Sequence, residues 1–318
     1  MPWVIGLDEA GYGPNLGPLL QAAAAVRLPI DELAGWTVLS KAIRKAGGRA
    51  DRDERLVVDD SKKVYHGTTA LERLERGVLA FFGGRHATLD AWLESLLSIE
   101  QHEALRRESW YAGDKPLPLA IRPHIRERAV EFLNFRWAPG TAAGPLHAKL
   151  TCPTEFNEAV DASGSKATIL TAGTIELLRL SLLTLPNDED SVLILCDKHG
   201  GRNYYGAMLK ETFPFGIVRA EVEAAHESRY RVEGLGRAVQ VVFRPRADGD
   251  CIAVALASMV CKYLREVCMD QFNAFWARHV PDIAPTAGYP VDAKRFMDDI
   301  RTALPRTGIA ERQLWRSK

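Results

Sequence analysis

The chain has little of what would assign it to a class at sight. Five cysteines occur in 318 residues, at positions 152, 196, 251, 261 and 268, with no C-x-x-C pair and no cysteine–histidine spacing of a zinc site. That excludes a disulfide scaffold and leads us to expect buried thiols in a reducing compartment. Charge of one sign is also lacking: 41 basic and 41 acidic residues give a formal charge of +0, so any footprint for a polyanion must be local. No stretch approaches the roughly eighteen uncharged apolar residues that span a bilayer. The opening MPWVIGLDEA has no basic region, apolar core or small-residue cleavage site, and we expect a cytoplasmic chain with no membrane attachment. Internal repeats and low-complexity tracts are absent. So are G-K-[ST], G-x-S-x-G and H-E-x-x-H, which removes P-loop, serine-hydrolase and zincin readings.

What is present is an interleaving of strand and helix patterns in a chain that is 47% hydrophobic and 26% charged. Trp3 to Leu7 is a short apolar run that stops at Asp8-Glu9, and Leu20 to Val26 reads as a second strand. Helical spacing (Leu33, Trp36, Leu39, Ile43) predicts a helix over 30–46 ending at Gly47-Gly48. Further helices are predicted over 68–82, 87–97 and 166–184. The stretch from about 100 to 150 has weak periodicity and reads as an insertion or small subdomain. Ser191 to Cys196 is a strand that delivers Asp197 into a polar loop. Strands over 216–223, 227–233 and 238–243 precede a helix from about 251 to 275 that is apolar nearly all round and therefore buried. Asp292 is a candidate cap for a last helix reaching about 302. Closely spaced strands among helices predict a mixed α/β (α+β) sheet, partly antiparallel, with flanking helices.

Chemistry concentrates in Gly6-Leu7-Asp8-Glu9-Ala10-Gly11-Tyr12-Gly13-Pro14-Asn15-Leu16-Gly17-Pro18. Two adjacent carboxylates at a strand end, followed by glycines, put hard oxygen ligands beside backbone N–H groups that a phosphodiester can approach. On a regular strand Asp8 and Glu9 face opposite ways, so one shared site requires the chain to bend at the loop. A dinucleotide fingerprint does not fit: the spacing of Gly11, Gly13 and Gly17 misses G-x-G-x-x-G by one, and Pro14 removes an N–H where a helix should open. His199, Lys198 and Arg202 are cations just past Asp197, and Asn134-Phe135-Arg136-Trp137 is a possible base-stacking segment.

The motif D-E-x-G-x-G-P-x-x-G-P after a first strand resembles the opening motif of the type 2 ribonucleases H, the ribonuclease HII family. Asp60-Ser61-Lys62-Lys63 is similar to its D-S-K-K element. Thr154-Glu155-Phe156-Asn157 is weakly similar to a segment before a helix, and Leu195-Cys196-Asp197 to the strand carrying a third acid. Arg246-Ala247-Asp248 and the helix Ala255-Leu256-Ala257-Ser258 through Lys262 and Arg265-Glu266 resemble the K-[AG]-D element and the helix after it, and Gly288-Tyr289-Pro290 resembles G-Y-P. Tyr12 stands where the family has arginine, and Glu266 where it has aspartate.

The resemblance implies a ribonuclease H-like catalytic domain over residues 1–318, with insertions at about 85–150 and 201–245 and a helical part from about 280. It implies that Asp8, Glu9, Asp197 and Asp248 hold two Mg2+ or Mn2+ ions, with the register to the following helix favouring Asp248 over Asp250. Gly11, Tyr12, Gly13, Ser61, Lys62 and Tyr289 are the implied substrate contacts. The implied substrate is an RNA/DNA hybrid or duplex DNA carrying a ribonucleotide, cut to leave a 3′-hydroxyl and a 5′-phosphate, with no protein partner implied. A non-catalytic nucleic-acid-binding member of the same superfold and a structure-specific DNA nuclease stay open as alternatives.

Overall fold

The computed structural model describes residues 1–47, 53, 55–83, 86–120, 137–188 and 190–317. The predicted helix end at Gly48, part of the 85–150 region, and Asn134-Phe135-Arg136 of the proposed stacking segment lie outside them.

The strands are β1 (Trp3–Ala10), β2 (Leu19–Arg27), β3 (Ile43–Arg44), β4 (Leu56–Val57), β5 (Ala142–Thr151), β6 (Val192–Asp197), β7 (Ile217–Glu223), β8 (Ser228–Glu233) and β9 (Val239–Arg244). Seven of them form one sheet in the order β5-β2-β1-β6-β9-β8-β7, and β3 and β4 pair separately. β1, β6 and β9 run parallel. The flanks β2–β5 and β8–β7 are antiparallel. The mixed sheet with flanking helices is the expected fold class.

Alternation along β1 divides the core. Val4 joins one apolar cluster with the long helix Ile252–His279, whereas Trp3, Ile5 and Leu7 join another with the helices Lys166–Thr184 and Gly206–Thr212. This period of two is what a strand buried on both faces must show. Gly6 lets the long helix close in, because a Cβ there would overlap the backbone of Ala253 and Val254. The all-round apolarity of that helix matches its burial; Ile252 through Cys261 are all covered. All five cysteines are free and buried, as expected.

Four expectations are corrected. Residues 30–46 form turns ending in β3 rather than a helix. Gly35, at φ +79, breaks the run, and a Cβ there would collide with Ile252, so the apolar positions pack as a turn against the long helix, whose Ile252 N–H donates to the Ala34 carbonyl. The segment 142–151, most of it inside the stretch expected to be an insertion or small subdomain, is the edge strand β5 of the main sheet. Asp292 does not occupy the capping position of the helix Pro290–Ile300. That position is Tyr289, with Pro290 opening the helix, while the Asp292 carboxylate accepts from Thr286 Oγ1 at 2.6 Å and Ala287 N–H at 3.1 Å. The helix Lys166–Thr184 has the length and mean hydropathy of a membrane span, although no such stretch was expected. It is packed here on the sheet, and its Glu176 accepts from Lys149 at 2.6 Å.

Candidate active site

The three parallel strands point their carboxyl ends the same way, and acids stand at all three. Ligand sites in parallel sheets favour that end. Asp8 and Glu9 are on β1, Asp197 is the last residue of β6, and Asp248 lies in a helical turn, Ala247–Asp250, just after β9. That turn opens at Arg246, a non-glycine residue at φ 60.

The expected bend between Asp8 and Glu9 is absent. β1 keeps register with β2 through Ala10, so the two side chains leave by opposite faces. Asp8 lies toward the long helix, where Cys261 Sγ is 3.3 Å from its carbonyl oxygen. Pairing of β1 with β6 stops at Leu7, and beyond it Glu9 feels the charges of Asp197 and Asp248.

Electrostatics couples the four acids in pairs: Asp8 with Glu9, Glu9 with Asp197 and Asp248, and Asp248 with Asp197. Burial, then the Glu9 charge, pushes Asp8 well above the usual carboxylate range. Glu9 is pushed up to about 7, by burial first and then by Asp197. Asp197 is raised by burial against three backbone N–H groups, those of Ala247, Arg246 and Lys198. Asp248 is raised by burial, then by Asp60 and Asp197. Lys62 is exposed, yet its ammonium opposes the rise at Glu9, Asp197 and Asp248. Carboxylates that raise one another's pKa with one lysine among them carry excess negative charge, which a divalent cation would neutralise.

Asp197 Oδ1 is buried and has no hydrogen-bond partner, an arrangement that costs about 1–3 kcal/mol or more unless a ligand completes it. Hard carboxylate oxygens suit Mg2+ or Mn2+, so the donor set fits. Among the described residues no three His, Cys, Asp or Glu side chains stand close enough to grip an ion; the acids are gathered as charges and not as a closed cage. Asp250 is turned away, its carboxylate exposed and 3.6 Å from Arg244.

A residue that sequence reasoning quoted but did not assign, Ser258, supports Asp8. Its Oγ is 3.0 Å from Ser61 Oγ, and its hydroxyl bears on the Asp8 carboxyl. Ser258 Oγ donates to Ser61 Oγ, and Ser61 is itself buried, behind the acid rather than presented to a substrate. Lys62 follows it in a short helix whose Asp60 side chain accepts from Lys62 N–H at 2.9 Å.

Gly11, at φ +87, makes the turn out of β1, and Gly13 is exposed with open space around it. Tyr12 is half-buried, with the Lys166 ammonium 4.8 Å from its ring centre, and burial, then the Glu9 charge, raises its phenol. Tyr289 is 54% exposed. Its neighbour Gly288 docks on the same loop, its carbonyl accepting from Asn15 N–H at 2.8 Å and Leu16 N–H at 3.2 Å. A Cβ on Gly288 would stand 2.5 Å from the Leu16 carbonyl oxygen.

The cations past Asp197 are turned inward. Burial, then Arg202, pushes His199 down to about 4, and its Nε2 pairs with Thr174 Oγ1 at 3.3 Å. Lys198 donates to Asn203 Oδ1 and the Ala224 carbonyl, and Arg202 to Thr171 Oγ1. Trp137 packs edge-on against Phe81 at 5.3 Å.

The sheet order and the acids at its parallel strand ends define a ribonuclease H-like fold. The chain is similar over almost its whole length to solved ribonucleases of types HII and HIII. Against the ribonuclease HII of Archaeoglobus fulgidus, solved as a complex with PCNA, identity is 14% and TM-score 0.45, over 99% of this chain and 94% of that one. Against ribonuclease H2 of Pyrococcus horikoshii OT3 the values are 16%, 0.42, 98% and 92%. Against Bst-RNase HIII in complex with Mn2+ they are 14%, 0.47, 99% and 66%. No family model and no curated protein matches the chain. What the site can do chemically is set by its own carboxylates and glycine loop.

Proposed function

We propose that this chain is a metal-dependent endonuclease that hydrolyses the phosphodiester of RNA in RNA/DNA hybrids or at ribonucleotides embedded in duplex DNA, leaving a 3′-hydroxyl and a 5′-phosphate. The observation that carries this reading is the placing of Asp8, Glu9, Asp197 and Asp248 at the same ends of three parallel strands, electrostatically coupled, beside a glycine turn and Lys62. Mg2+ or Mn2+ held by those four residues would supply an activated water and neutralise the leaving 3′-oxygen. Asp8 is backed by the Ser61–Ser258 pair, and Asp197, its Oδ1 buried and unpartnered, has the backbone N–H groups of Arg246, Ala247 and Lys198 around it. Lys62 offers an ammonium to a phosphate beside the acids. Gly11, Tyr12 and Gly13 bring backbone against the sugar, and the exposed Tyr289 ring, on a segment hydrogen-bonded to that loop, offers a face to the adjoining ribose. A 2′-hydroxyl is read by such close contacts and not by charge.

The test is cleavage of a DNA duplex carrying one ribonucleotide, with Mg2+ or Mn2+, by wild type, Asp8→Asn and Asp197→Asn. Removing an outer-shell partner costs about 10–100-fold in metal sites, so each ligand variant should lose more than about 100-fold. Cleavage of an all-DNA duplex at the same rate would favour a DNA nuclease. Binding without cleavage of either this duplex or a hybrid would favour a non-catalytic module.

A further inference from the structure

Beneath the glycine loop lies a strap from the far end of the sequence. Trp315 bridges to Leu16, Arg316 N–H donates to the Asn15 carbonyl at 2.8 Å, and the Asn15 side chain returns a bond to the Arg316 carbonyl at 3.2 Å. Asn157 holds the strap from the other side through the carbonyls of Arg312 and Trp315 and the Ser317 N–H.

The Arg316 side chain is 1% exposed. Its Nη2 donates to the Gly11 carbonyl at 2.6 Å and to the Pro14 carbonyl, and its guanidinium lies 4.8 Å from the Phe156 ring centre. Arg265 approaches the same loop, donating to the Ala287 carbonyl at 2.8 Å and lying within 2.7 Å of where a Gly11 Cβ would be. Arg316 takes part in no ion pair among the described residues, and its Nε and Nη1 are buried without acceptors. Burial, then Arg265, pushes it down to about 9. A buried cation without a carboxylate costs stability instead of adding it, so folding alone gives no account of an arginine here.

Peptide geometry supplies one. In a planar trans peptide the C=O and the following N–H point in opposite directions. Arg316 draws the Gly11 carbonyl inward, so the Tyr12 N–H points outward. Among the described residues neither Tyr12 N–H nor Gly13 N–H has a backbone acceptor. Two free donors in a glycine turn favour an anionic or polar oxygen.

We propose that Arg316 is a positioning residue for substrate affinity: by fixing the Gly11 carbonyl it aims the Tyr12 amide at the backbone of the nucleic acid, and by holding the Pro14 carbonyl it pins the far end of the turn that carries the Gly13 amide. The proposal rests on the nuclease reading above for the identity of the substrate. Arg316 touches the loop and none of the four acids, so its loss acts on binding and leaves the chemical step in place. Charge-assisted hydrogen bonds of this kind are worth about 10–100-fold each.

The experiment compares wild type, Arg316→Ala and Arg316→Lys on the single-ribonucleotide duplex with Mn2+, alongside thermal melting. A parallel arm measures binding of the same duplex by fluorescence anisotropy, with Asp197→Asn present to prevent turnover. We expect Arg316→Ala to raise KM and Kd by about 10-fold or more, with kcat within about 3-fold, and added guanidinium to restore KM. Arg316→Lys should be intermediate, since an ammonium can donate to the carbonyls but lacks the planar group that lies over the Phe156 ring, and it carries the test if the alanine variant does not fold. Unchanged KM and Kd in a folded variant overturn the proposal. So does a joint fall of melting temperature, kcat and affinity that guanidinium does not reverse. If wild type cleaves nothing, the nuclease reading fails by itself, and the anisotropy arm still decides: equal binding of the duplex with and without the Arg316 side chain overturns the strap's role.

Discussion

At the scale of single residues, the two glycines flanking Tyr12 do different work. Gly11 is at φ +87, and a Cβ there would lie 2.6 Å from the Pro18 carbonyl oxygen. Gly11→Ala is therefore strained in backbone and in space, and should lose about 1–3 kcal/mol of stability. Gly13 has no heavy atom within 4 Å of an added Cβ, so the folded protein tolerates the methyl group. Its small size matters only if something outside the protein approaches. Gly13→Ala should therefore keep the wild-type melting temperature while raising KM for the ribonucleotide duplex by about 10-fold, the cost of one displaced hydrogen bond. Full activity in a normally melting Gly13→Ala protein would remove this residue from the substrate contacts.

At the scale of elements, the helix Ile99–Arg106 and the turn after it carry a group whose titration bears on stability. Burial pushes Glu108 up to about 7, with a hydrogen bond to Cys152 opposing. An acid whose folded pKa is raised binds its proton more tightly when folded, so its contribution is complete below the unfolded value near 4.5 and is lost as pH rises toward 7. The stability difference between Glu108→Gln and wild type should shift in favour of the variant by up to about 3 kcal/mol between pH 4.5 and 8. Denaturant midpoints that stay parallel across that range would show that Glu108 ionises normally.

The elements also show what could be read in advance. β1, β2, β6 and the strands β7 to β9 were legible because alternating or continuous apolar runs ended at turn residues, and the long helix because its burial is all round. β5, AAGPLHAKLT, was not: Leu146, Ala148 and Leu150 alternate onto the core, but the face is only three residues long and Gly144 and Pro145, which an edge strand tolerates, interrupt the strand before it. The false helix over 30–46 had the right spacing, but the left-handed Gly35 outweighed it. Of the proposed site, motif order singled out the acids that the fold carries to the ends of its parallel strands. Ser258 lay within a quoted motif, and only tertiary contact shows which acid its hydroxyl serves. Arg316 left no signal at all: a lone arginine beside tryptophan looks like solvated surface until the strap brings it under the loop.

At the scale of the whole molecule, the acids come from strands separated by long stretches of chain, so a cation binding all of them ties β1, β6 and the turn after β9 together. Binding to the folded state alone stabilises by RT ln(1 + [L]/Kd), about 2.7 kcal/mol at a hundredfold excess over Kd. For a chain of this size that is a rise of about 5 °C in melting temperature. Neither turnover nor substrate is needed to see it. Mn2+ or Mg2+ near pH 8 should raise the melting temperature of wild type, and the rise should shrink in Asp197→Asn and in Asp248→Asn but persist in Asp250→Asn, whose side chain faces Arg244 and solvent. Asp197→Asn and Asp248→Asn should raise the melting temperature of the metal-free protein, because each removes one member of a mutually repelling set. These opposite signs distinguish a cation site from an ordinary buried ion network, where deleting an acid destabilises with or without metal. A metal-induced rise equal in wild type and Asp197→Asn would mean that the ion binds elsewhere, and the assignment of the four carboxylates would fall with it.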